Sequence, residues 1–310
     1  MQDDDLITRI HALTSPLTPE PTGLKPCIDP LDDIRAVLFD VYGTLVISGC
    51  GDIGLTCKPL DGMQVRPNFF RQALSSIGLD ISLLPDDFDG TVALNKIIAT
   101  NHSVSRSQGV DYPEVDILAV WLALLSELNL AIPEHEIRCL AVEYEFRSNL
   151  VWPMPGLTKV IKAINEQGLV LGIVSNAQFY TPIMLNAFLG CDIAAGGFDP
   201  RCCAWSYQHL VGKPSTRIYE PALAALDHYH GIGPEQVLYV GNDLRNDIWP
   251  ASQLGCHTAL FAGDARSLRL RKEDAHLKNV HPDRVFTNLE HVMTSLWQEQ
   301  GGSVSKPSSK

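Results

Sequence analysis

The chain has 310 residues, of which 45% are hydrophobic, and its 24 basic and 36 acidic side chains give a formal net charge of −12. This length accommodates one large domain or two modest ones, and the acidic balance argues against a protein that mainly binds nucleic acid or a membrane surface. A site that handles phosphate in such a chain needs a local cation, either a Lys or Arg side chain or a metal ion.

The two ends of the chain differ in composition from its middle. Residues 1–33 are rich in Pro, Thr and Asp and predict an extended lead-in with a short helix over 6–13, whereas the Gly-, Ser- and Lys-rich residues 299–310 predict a flexible tail. The lead-in lacks the basic start and apolar run of a secretory signal, and the longest strongly apolar run, 117–125, is too short to span a membrane. Eight irregularly spaced cysteines without a Cys-x-x-Cys pair predict reduced thiols. We therefore expect a cytoplasmic protein.

Four short runs are apolar throughout, end at polar or Gly residues and precede a helical pattern. They cover 36–39, 169–174, 237–240 and 258–261. Such runs are typical of strands buried on both faces of a parallel sheet. The amphipathic segments 157–167 and 181–189 predict helices that cross between these strands. The predicted fold class is therefore α/β, a doubly wound parallel sheet with a Rossmann-like core.

The stretch from 48 to 151 interrupts the alternation of strands and helices. Its apolar residues recur at helical spacing over 68–77, 92–98, 114–128 and 133–148, with no convincing buried strand between them. We interpret the stretch as an inserted, mainly helical cap domain that covers the ligand crevice, and a packed helical layer without a gating role is the alternative. The predicted domains are the lead-in 1–33, the core 34–47 and 152–298, the cap 48–151 and the tail 299–310.

Polar residues follow the first two predicted strands, at the sheet edge where ligands of such folds bind. Asp40 follows the first strand in the sequence Asp-Val-Tyr-Gly-Thr, and Ser175-Asn176 end the second. Taken alone, each residue is consistent with a turn or a strand terminus as well as with a catalytic role.

Two further polar segments lie later in the chain. Lys213 lies in the turn Gly-Lys-Pro-Ser before a helical pattern over 216–226, which Pro221 is expected to kink or restart. Asp243 and Asp247 follow the third strand at positions i and i+4. They could present oxygen atoms to Mg²⁺, or could simply face the dipole of the helix that follows.

In their order and spacing these four segments resemble the signatures of the haloacid dehalogenase superfamily. Those signatures are Asp-x-x-Gly-Thr, a Ser or Thr after a strand, a Lys, and Gly-x-Asp-x-x-x-Asp. The resemblance implies a hydrolase with an inserted cap, in which Asp40 is the nucleophile and forms a covalent aspartyl intermediate. Ser175 and Lys213 would complete the catalytic set.

The resemblance also implies how substrate and cofactor bind. The cofactor would be Mg²⁺, held by Asp40, the backbone carbonyl of Tyr42, Asp243 and, directly or through water, Asp247. The transferring phosphoryl oxygens would be bound by Ser175 and Lys213, with help from Thr44 and Asn176. Positioning and charge neutralisation supply most of the rate in phosphoryl transfer, which suits these roles.

The chain departs from the phosphatases of this superfamily at Tyr42. Most of them carry a second Asp two residues after the nucleophile, as the acid for the leaving alcohol and the base for water. Loss of such a group lowers the rate roughly 10²–10⁴-fold for a poor leaving group. The sequence Asp-x-Tyr-Gly-Thr also opens the metal-independent L-2-haloacid dehalogenases, which attack carbon and release halide. The Asp243/Asp247 pair argues against that activity, and so does the distance to the next arginine, Arg66.

Three functions follow, in order of preference. The first is a Mg²⁺-dependent phosphatase of a small phosphorylated metabolite, the second is a metal-independent L-2-haloacid dehalogenase, and the third is a non-catalytic binding protein on the same scaffold. The expected partner is the small-molecule substrate, with no nucleic acid and no membrane. An exposed cap face would allow a homodimer.

Overall fold

A computed structural model describes residues 2–50 and 68–297. Its strands are β1 (Ala36–Phe39), β2 (Val46–Ser48), β3 (Val151–Pro153), β4 (Val170–Ser175), β5 (Phe198–Trp205), β6 (Val237–Gly241), β7 (His257–Phe261) and β8 (Arg284–Phe286). Its α-helices are α1 (Gln2–Leu13), α2 (Phe69–Ser76), α3 (Gly90–Ser107), α4 (Ile117–Glu127), α5 (Glu134–Ser148), α6 (Leu157–Glu166), α7 (Tyr180–Leu189), α8 (Ser206–His209), α9 (Glu220–His230), α10 (Trp249–Gln253) and α11 (Glu290–Leu296).

Six strands form one parallel sheet in the order β5-β4-β1-β6-β7-β8. The chain builds outward from β1 through β4 to β5, and then returns to the other side of β1 to add β6, β7 and β8. The order in which the chain adds strands therefore switches sides between β1 and β6. In a parallel sheet of this kind a crevice opens at such a point, at the carboxyl ends of the strands. This arrangement confirms the predicted doubly wound α/β fold.

The four predicted strands are present with ends that differ by at most one residue, and two strands of the sheet were not predicted. β1 is buried at all four positions, as an apolar run through the sheet centre requires. The edge strand β5 contains the polar residues Asp199 and Arg201 and is buried at only some positions, so it has no continuous apolar run. β8 has three residues and lies at the opposite edge.

The inserted stretch is helical where the structure describes it. Helices α2 to α5 lie within 68–148, and the side chains of Asn68, Asp89 and Asp116 cap the first three of them by accepting backbone N–H groups. Strands β2 and β3 lie side by side in antiparallel register at the two ends of the insert. The cap function of this helical region stays a prediction.

The lead-in is more structured than predicted. Its helix α1 begins four residues before the predicted start and packs against both α5 and α7. Leu6 and Ile10 are buried in that contact, and Arg9 Nη1 lies 2.9 Å from Glu143 Oε1. The hydrophobic face of α1 thus belongs to the main core, which the Pro-rich composition of the whole segment concealed.

The cysteines do not behave uniformly. Cys50 is disulfide-bonded, so the expectation of reduced thiols is wrong for this residue. Cys202 and Cys256 are free and buried as expected, whereas Cys27 is free and exposed. No helix in the described part of the chain is long and apolar enough to cross a bilayer. The predicted tail 299–310 and Arg66 lie outside the described residues.

Candidate functional site

The predicted site residues meet at the carboxyl edge of the sheet. Asp40 directly follows β1, and Ser175 is the last residue of the neighbouring strand β4. Asp247 lies in a π-helical turn, Leu244–Ile248, that follows β6 on the other side of β1. Lys213 reaches the same edge from the loop after α8. All four are buried, although they are spread over two hundred positions of the sequence.

Lys213 joins two carboxylates. Its Nζ lies 2.6 Å from Oδ1 of Asp40 and 2.6 Å from Oδ1 of Asp247. Ser175 Oγ donates a second hydrogen bond to Asp40 Oδ1, at 2.9 Å. The side-chain amide of Asn176 supports the lysine, because its Oδ1 accepts the backbone N–H of Lys213 at 2.7 Å. Lys213 is therefore a local cation of the kind that the acidic composition required.

Burial controls the ionisation of this network. Burial raises the pKa of Asp40, an effect that the Lys213 ammonium and the Ser175 hydroxyl oppose. Burial raises the pKa of Asp247 to about 6, with Lys213 opposing it and the neighbouring carboxylates of Asp40 and Asp243 adding to it. Burial disfavours the charged form of Lys213, but Asp247 and Asp40 outweigh it and the net effect raises the lysine pKa. The two carboxylates therefore favour the charged ammonium form of Lys213.

A small cavity opens beside this network. Its volume is about 30 Å³, which is the space of one water molecule or a small ion. It is lined by Asp40, Tyr42, Asn176, Lys213, Asn242, Asp243, Asn246, Asp247 and Arg269. Six of these residues were predicted as site residues. Two further predicted site residues, Ser175 and Thr44, do not line the cavity but contact residues that do. Thr44 Oγ1 donates to Asn242 Oδ1 at 3.2 Å.

Tyr42 lies two residues after Asp40, on the loop that follows β1. The residue is buried, and its hydroxyl lies 3.1 Å from Oγ1 of Thr181 on helix α7. The phenol is thereby part of a hydrogen bond to the core helix. The described geometry therefore places a hydrogen-bonded phenol at position 42.

Gly43 allows the loop after Asp40 to pack closely against its neighbours. The residue has a φ of +83°, in the left-handed region that favours glycine. A Cβ at this position would collide with the side chain of Ser267 and lie 2.6 Å from Asn242 Nδ2. Gly43 therefore has a steric reason, because it lets the loop after Asp40 contact the residues that follow β6 and β7.

Asp243 is held from several directions. Its Oδ1 accepts the backbone N–H groups of Arg245 at 2.9 Å and Asn246 at 3.3 Å, as the cap of the π-helical turn. Arg271 donates to both carboxylate oxygens, through Nε at 3.2 Å and Nη2 at 2.6 Å. The backbone N–H of Asp243 in turn donates to Asp247 Oδ2 at 2.8 Å. Asp243 is therefore part of an ion pair as well as of the cavity wall.

Five residues of the site were not predicted. Tyr239 lies inside the apolar run of β6, yet its hydroxyl lies 3.3 Å from Lys213 Nζ and 3.2 Å from Asp247 Oδ1. Its position in a hydrophobic strand carries no signal in the sequence. Asn242, Asn246, Arg269 and Arg271 were also not predicted. The two arginines lie in Arg-Ser-Leu-Arg-Leu-Arg after the last predicted strand, and this basic run was the signal that could have identified them.

A cluster of metal-ligating side chains lies outside the residues that line the cavity. Within the described ranges, Asp199, Cys202 and His230 each place a ligand atom within 4.8 Å of the other two, whereas the carboxylates around Lys213 form no such group of three. Arg201 contacts both carboxylate oxygens of Asp199, and His230 Nε2 lies 2.8 Å from Oδ2. Arg201 and His230 hold the pKa of Asp199 well below its usual range. The cluster is accounted for as an ion-pair network at the sheet edge.

Several known proteins are similar to this chain in sequence or in fold. Phosphoglycolate phosphatase of Salmonella choleraesuis is 27% identical over 240 residues, which cover 74% of this chain and 81% of the relative. The enzyme of the same name from Shigella flexneri is 24% identical over 237 residues, with 74% and 81% covered. A solved 2-haloacid dehalogenase from Pseudomonas syringae has the same fold, with a TM-score of 0.50 and 16% identity over 84% of this chain and 96% of that one. Residues 34–255 match the haloacid dehalogenase-like hydrolase family. The chain therefore belongs to the haloacid dehalogenase-like hydrolases.

Proposed function

We propose that the protein is a Mg²⁺-dependent phosphatase that acts on a small phosphorylated metabolite. The observation that carries the proposal is the carboxylate of Asp40, held by Lys213 and Ser175 in a cavity that Asp243 and Asp247 also line. The phosphoglycolate phosphatases support it, since the alignment covers 81% of the first of them.

The reaction has two steps. A carboxylate oxygen of Asp40 attacks phosphorus, so that an aspartyl phosphate forms while the bond from phosphorus to the leaving oxygen breaks. Water then attacks phosphorus and releases inorganic phosphate together with the free carboxylate. Lys213 and Ser175 stabilise the negative charge on the phosphoryl oxygens in both steps.

The chemistry of the cavity wall fits a hard divalent cation. Carboxylates, an amide oxygen and a backbone carbonyl are the ligands that Mg²⁺ prefers, and the volume of about 30 Å³ admits one small ion. Asp40, the carbonyl of Tyr42, Asp243 and Asp247 would hold it, as the family resemblance implies. The bound ion would supply charge neutralisation for the phosphoryl group.

Tyr42 predicts a preference among leaving groups. No carboxylate stands at this position to protonate a departing alkoxide, and the ordinary pKa of a phenol, about 10, makes it a poor base near neutral pH. The carboxylate of an acyl phosphate and the phenolate of phenyl phosphate are good leaving groups and depart without strong assistance from an acid. We therefore expect these substrates to be hydrolysed faster than alkyl phosphates.

The test is phosphate release by the purified protein from phenyl, acyl and sugar phosphates, with Mg²⁺ and with EDTA. We expect release that requires Mg²⁺ and is lost in Asp40→Asn. Asp227→Asn is the matched control, because Asp227 is an exposed carboxylate of helix α9 outside the cavity. Release that persists in Asp40→Asn would overturn the assignment of the nucleophile.

The L-2-haloacid dehalogenase activity is the second candidate, and Tyr42 is the observation that favours it. Halide leaves without a proton, so an enzyme of this type needs no carboxylate at position 42. Chloride release from a 2-chloro acid that is insensitive to EDTA, with no phosphate release, would establish this activity instead. If neither product forms and Asp40→Asn behaves as the wild type, the non-catalytic binding role gains support.

A cytoplasmic location and a homodimer stay predictions of the sequence.

A further inference from the structure

Arg271 and Asp243 form a two-pronged ion pair at the candidate metal site. Nε of Arg271 lies 3.2 Å from Oδ1 of Asp243, and Nη2 lies 2.6 Å from Oδ2. The carboxylate side chain is 7% exposed, whereas the guanidinium side chain is 37% exposed. Forked contacts of this kind are among the stronger hydrogen-bonded ion pairs in proteins. The pair therefore neutralises a carboxylate that the proposed cation needs.

The remaining contacts of the Asp243 and Asp247 carboxylates come from buried side chains or from backbone groups. Asp247 accepts from Lys213 Nζ and Tyr239 OH at Oδ1, and from the backbone N–H of Asp243 at Oδ2. Asp243 Oδ1 also accepts two backbone N–H groups of the π-helical turn. Those donors cannot withdraw without disturbing the core or the turn. Arg271 is the more exposed member of the pair, at 37% against 7%, and withdrawal of its guanidinium would release Oδ2 of Asp243 without a change in the backbone.

The loop that carries Arg271 has its own anchors. The backbone N–H of Leu244 donates to Arg269 O at 2.9 Å, and the N–H of Arg269 donates to Asn242 O at 3.0 Å. These bonds tie the loop to the end of β6 without the Arg271 side chain. Arg271 itself has a φ of +47°, a backbone conformation that is uncommon outside glycine and that another non-glycine side chain at this position would share. Replacement of the side chain alone should therefore leave the loop in place.

We propose that Arg271 competes with the divalent cation for Oδ2 of Asp243 and thereby weakens the affinity of the protein for Mg²⁺. The inference rests on the proposed function, because it assumes that Asp243 is a cation ligand. A guanidinium on Oδ2 occupies the oxygen and places a positive charge beside the ion, and both effects oppose binding. Mg²⁺ binding and release of Arg271 are thus coupled.

The test is calorimetric titration of the purified protein with MgCl₂ at low ionic strength. We expect Arg271→Gln to bind Mg²⁺ about 10-fold more tightly than the wild type, since it removes a charge in direct contact with a ligand. Arg271→Lys should fall between the two, because it keeps the charge but loses the fork. The matched control is Arg245→Gln, which removes the same charge nearby from a side chain 3.9 Å from Asp274. It should change the affinity less than 3-fold, within ordinary surface electrostatics.

A second readout covers the case in which the variant is less stable. Mg²⁺ should raise the urea midpoint of Arg271→Gln more than that of the wild type, because tighter binding shifts unfolding further at the same concentration. Equal or weaker Mg²⁺ binding by Arg271→Gln overturns the competition and leaves the phosphatase proposal standing. Absence of binding by both chains overturns the metal dependence proposed above and this inference with it.

Discussion

Nζ of Lys213 donates to Oδ1 of Asp40 at 2.6 Å, with the two side chains only 4% and 8% exposed. The same ammonium group lies 2.6 Å from Asp247, so one cation serves two buried acids. Removal of one partner from a buried ion pair leaves uncompensated charge, which is more costly than the pair itself is stabilising. The lysine is therefore expected to stabilise the fold as well as to bind the transferring phosphoryl group.

Lys213→Met should lower the free energy of unfolding by about 3–5 kcal/mol and abolish phosphate release. Urea unfolding followed by circular dichroism measures the first effect. Lys159→Met is the control, because Lys159 pairs with Glu290 at 2.7 Å where both side chains are more than half exposed. Its loss should stay below about 1 kcal/mol. Equal losses for the two variants would contradict the buried network.

Tyr42→Asp should supply a general acid and base beside Asp40, the proposed nucleophile. We expect the rate on alkyl phosphates to rise at least about 10-fold relative to phenyl phosphate, because only the poor leaving group needs a proton. The measurement is the ratio of kcat values for the two substrates. Tyr42→Phe, which loses the hydroxyl bound to Thr181, should leave that ratio within about 3-fold. A collapse of alkyl phosphate hydrolysis in Tyr42→Phe would instead identify the phenol as the acid.

Gly43→Ala should destabilise the protein and the nucleophile loop. The added methyl group meets Ser267 and Asn242 in a left-handed backbone conformation. Gly168→Ala separates the two causes, because Gly168 has a φ of +76° and nothing within 4 Å of its Cβ position. Backbone strain alone should cost about 1–2 kcal/mol in Gly168→Ala. Gly43→Ala should cost more in urea unfolding and lose activity, and parity between them would rule out the steric contact.

Glu145 should make the stability of the protein depend on pH. Burial in helix α5 raises its pKa from 4.5 to about 7, although the Tyr180 hydroxyl donates to it at 3.1 Å and opposes the shift. Between these two values the folded protein retains a proton that the unfolded chain has lost. The free energy of unfolding therefore falls as pH rises from about 4.5 to 7 and then levels off.

The check is urea unfolding at pH 5 and pH 8 for the wild type and Glu145→Gln. The wild type should lose about 2–3 kcal/mol more over this interval than the variant, from the size of the pKa shift. Glu134→Gln, at an exposed carboxylate in the first turn of the same helix, should behave as the wild type. Identical pH dependence in wild type and Glu145→Gln would contradict a raised pKa at this residue.

The amino-acid sequence was sufficient to predict four of the six strands of the sheet and the convergence of the main site residues. The apolar run 36–39 predicted β1 with its observed ends, because a central parallel strand is buried on both faces and cannot carry polar residues. Asp40, Ser175 and Asp247 follow strands that are neighbours in the sheet, so their convergence followed from topology. Local composition and periodicity determine such features.

The contacts that distinguish this site became apparent only in the folded chain. In the sequence Tyr239 resembles an ordinary core residue of its strand, although its hydroxyl contacts Asp247. Arg271 lies 28 positions after Asp243, the carboxylate to which it donates. Helix α1 packs against α5 and α7, more than a hundred positions away in the chain. These relationships depend on which loops and faces the fold brings together over long sequence separations, and neither apolar periodicity nor motif spacing encodes that information.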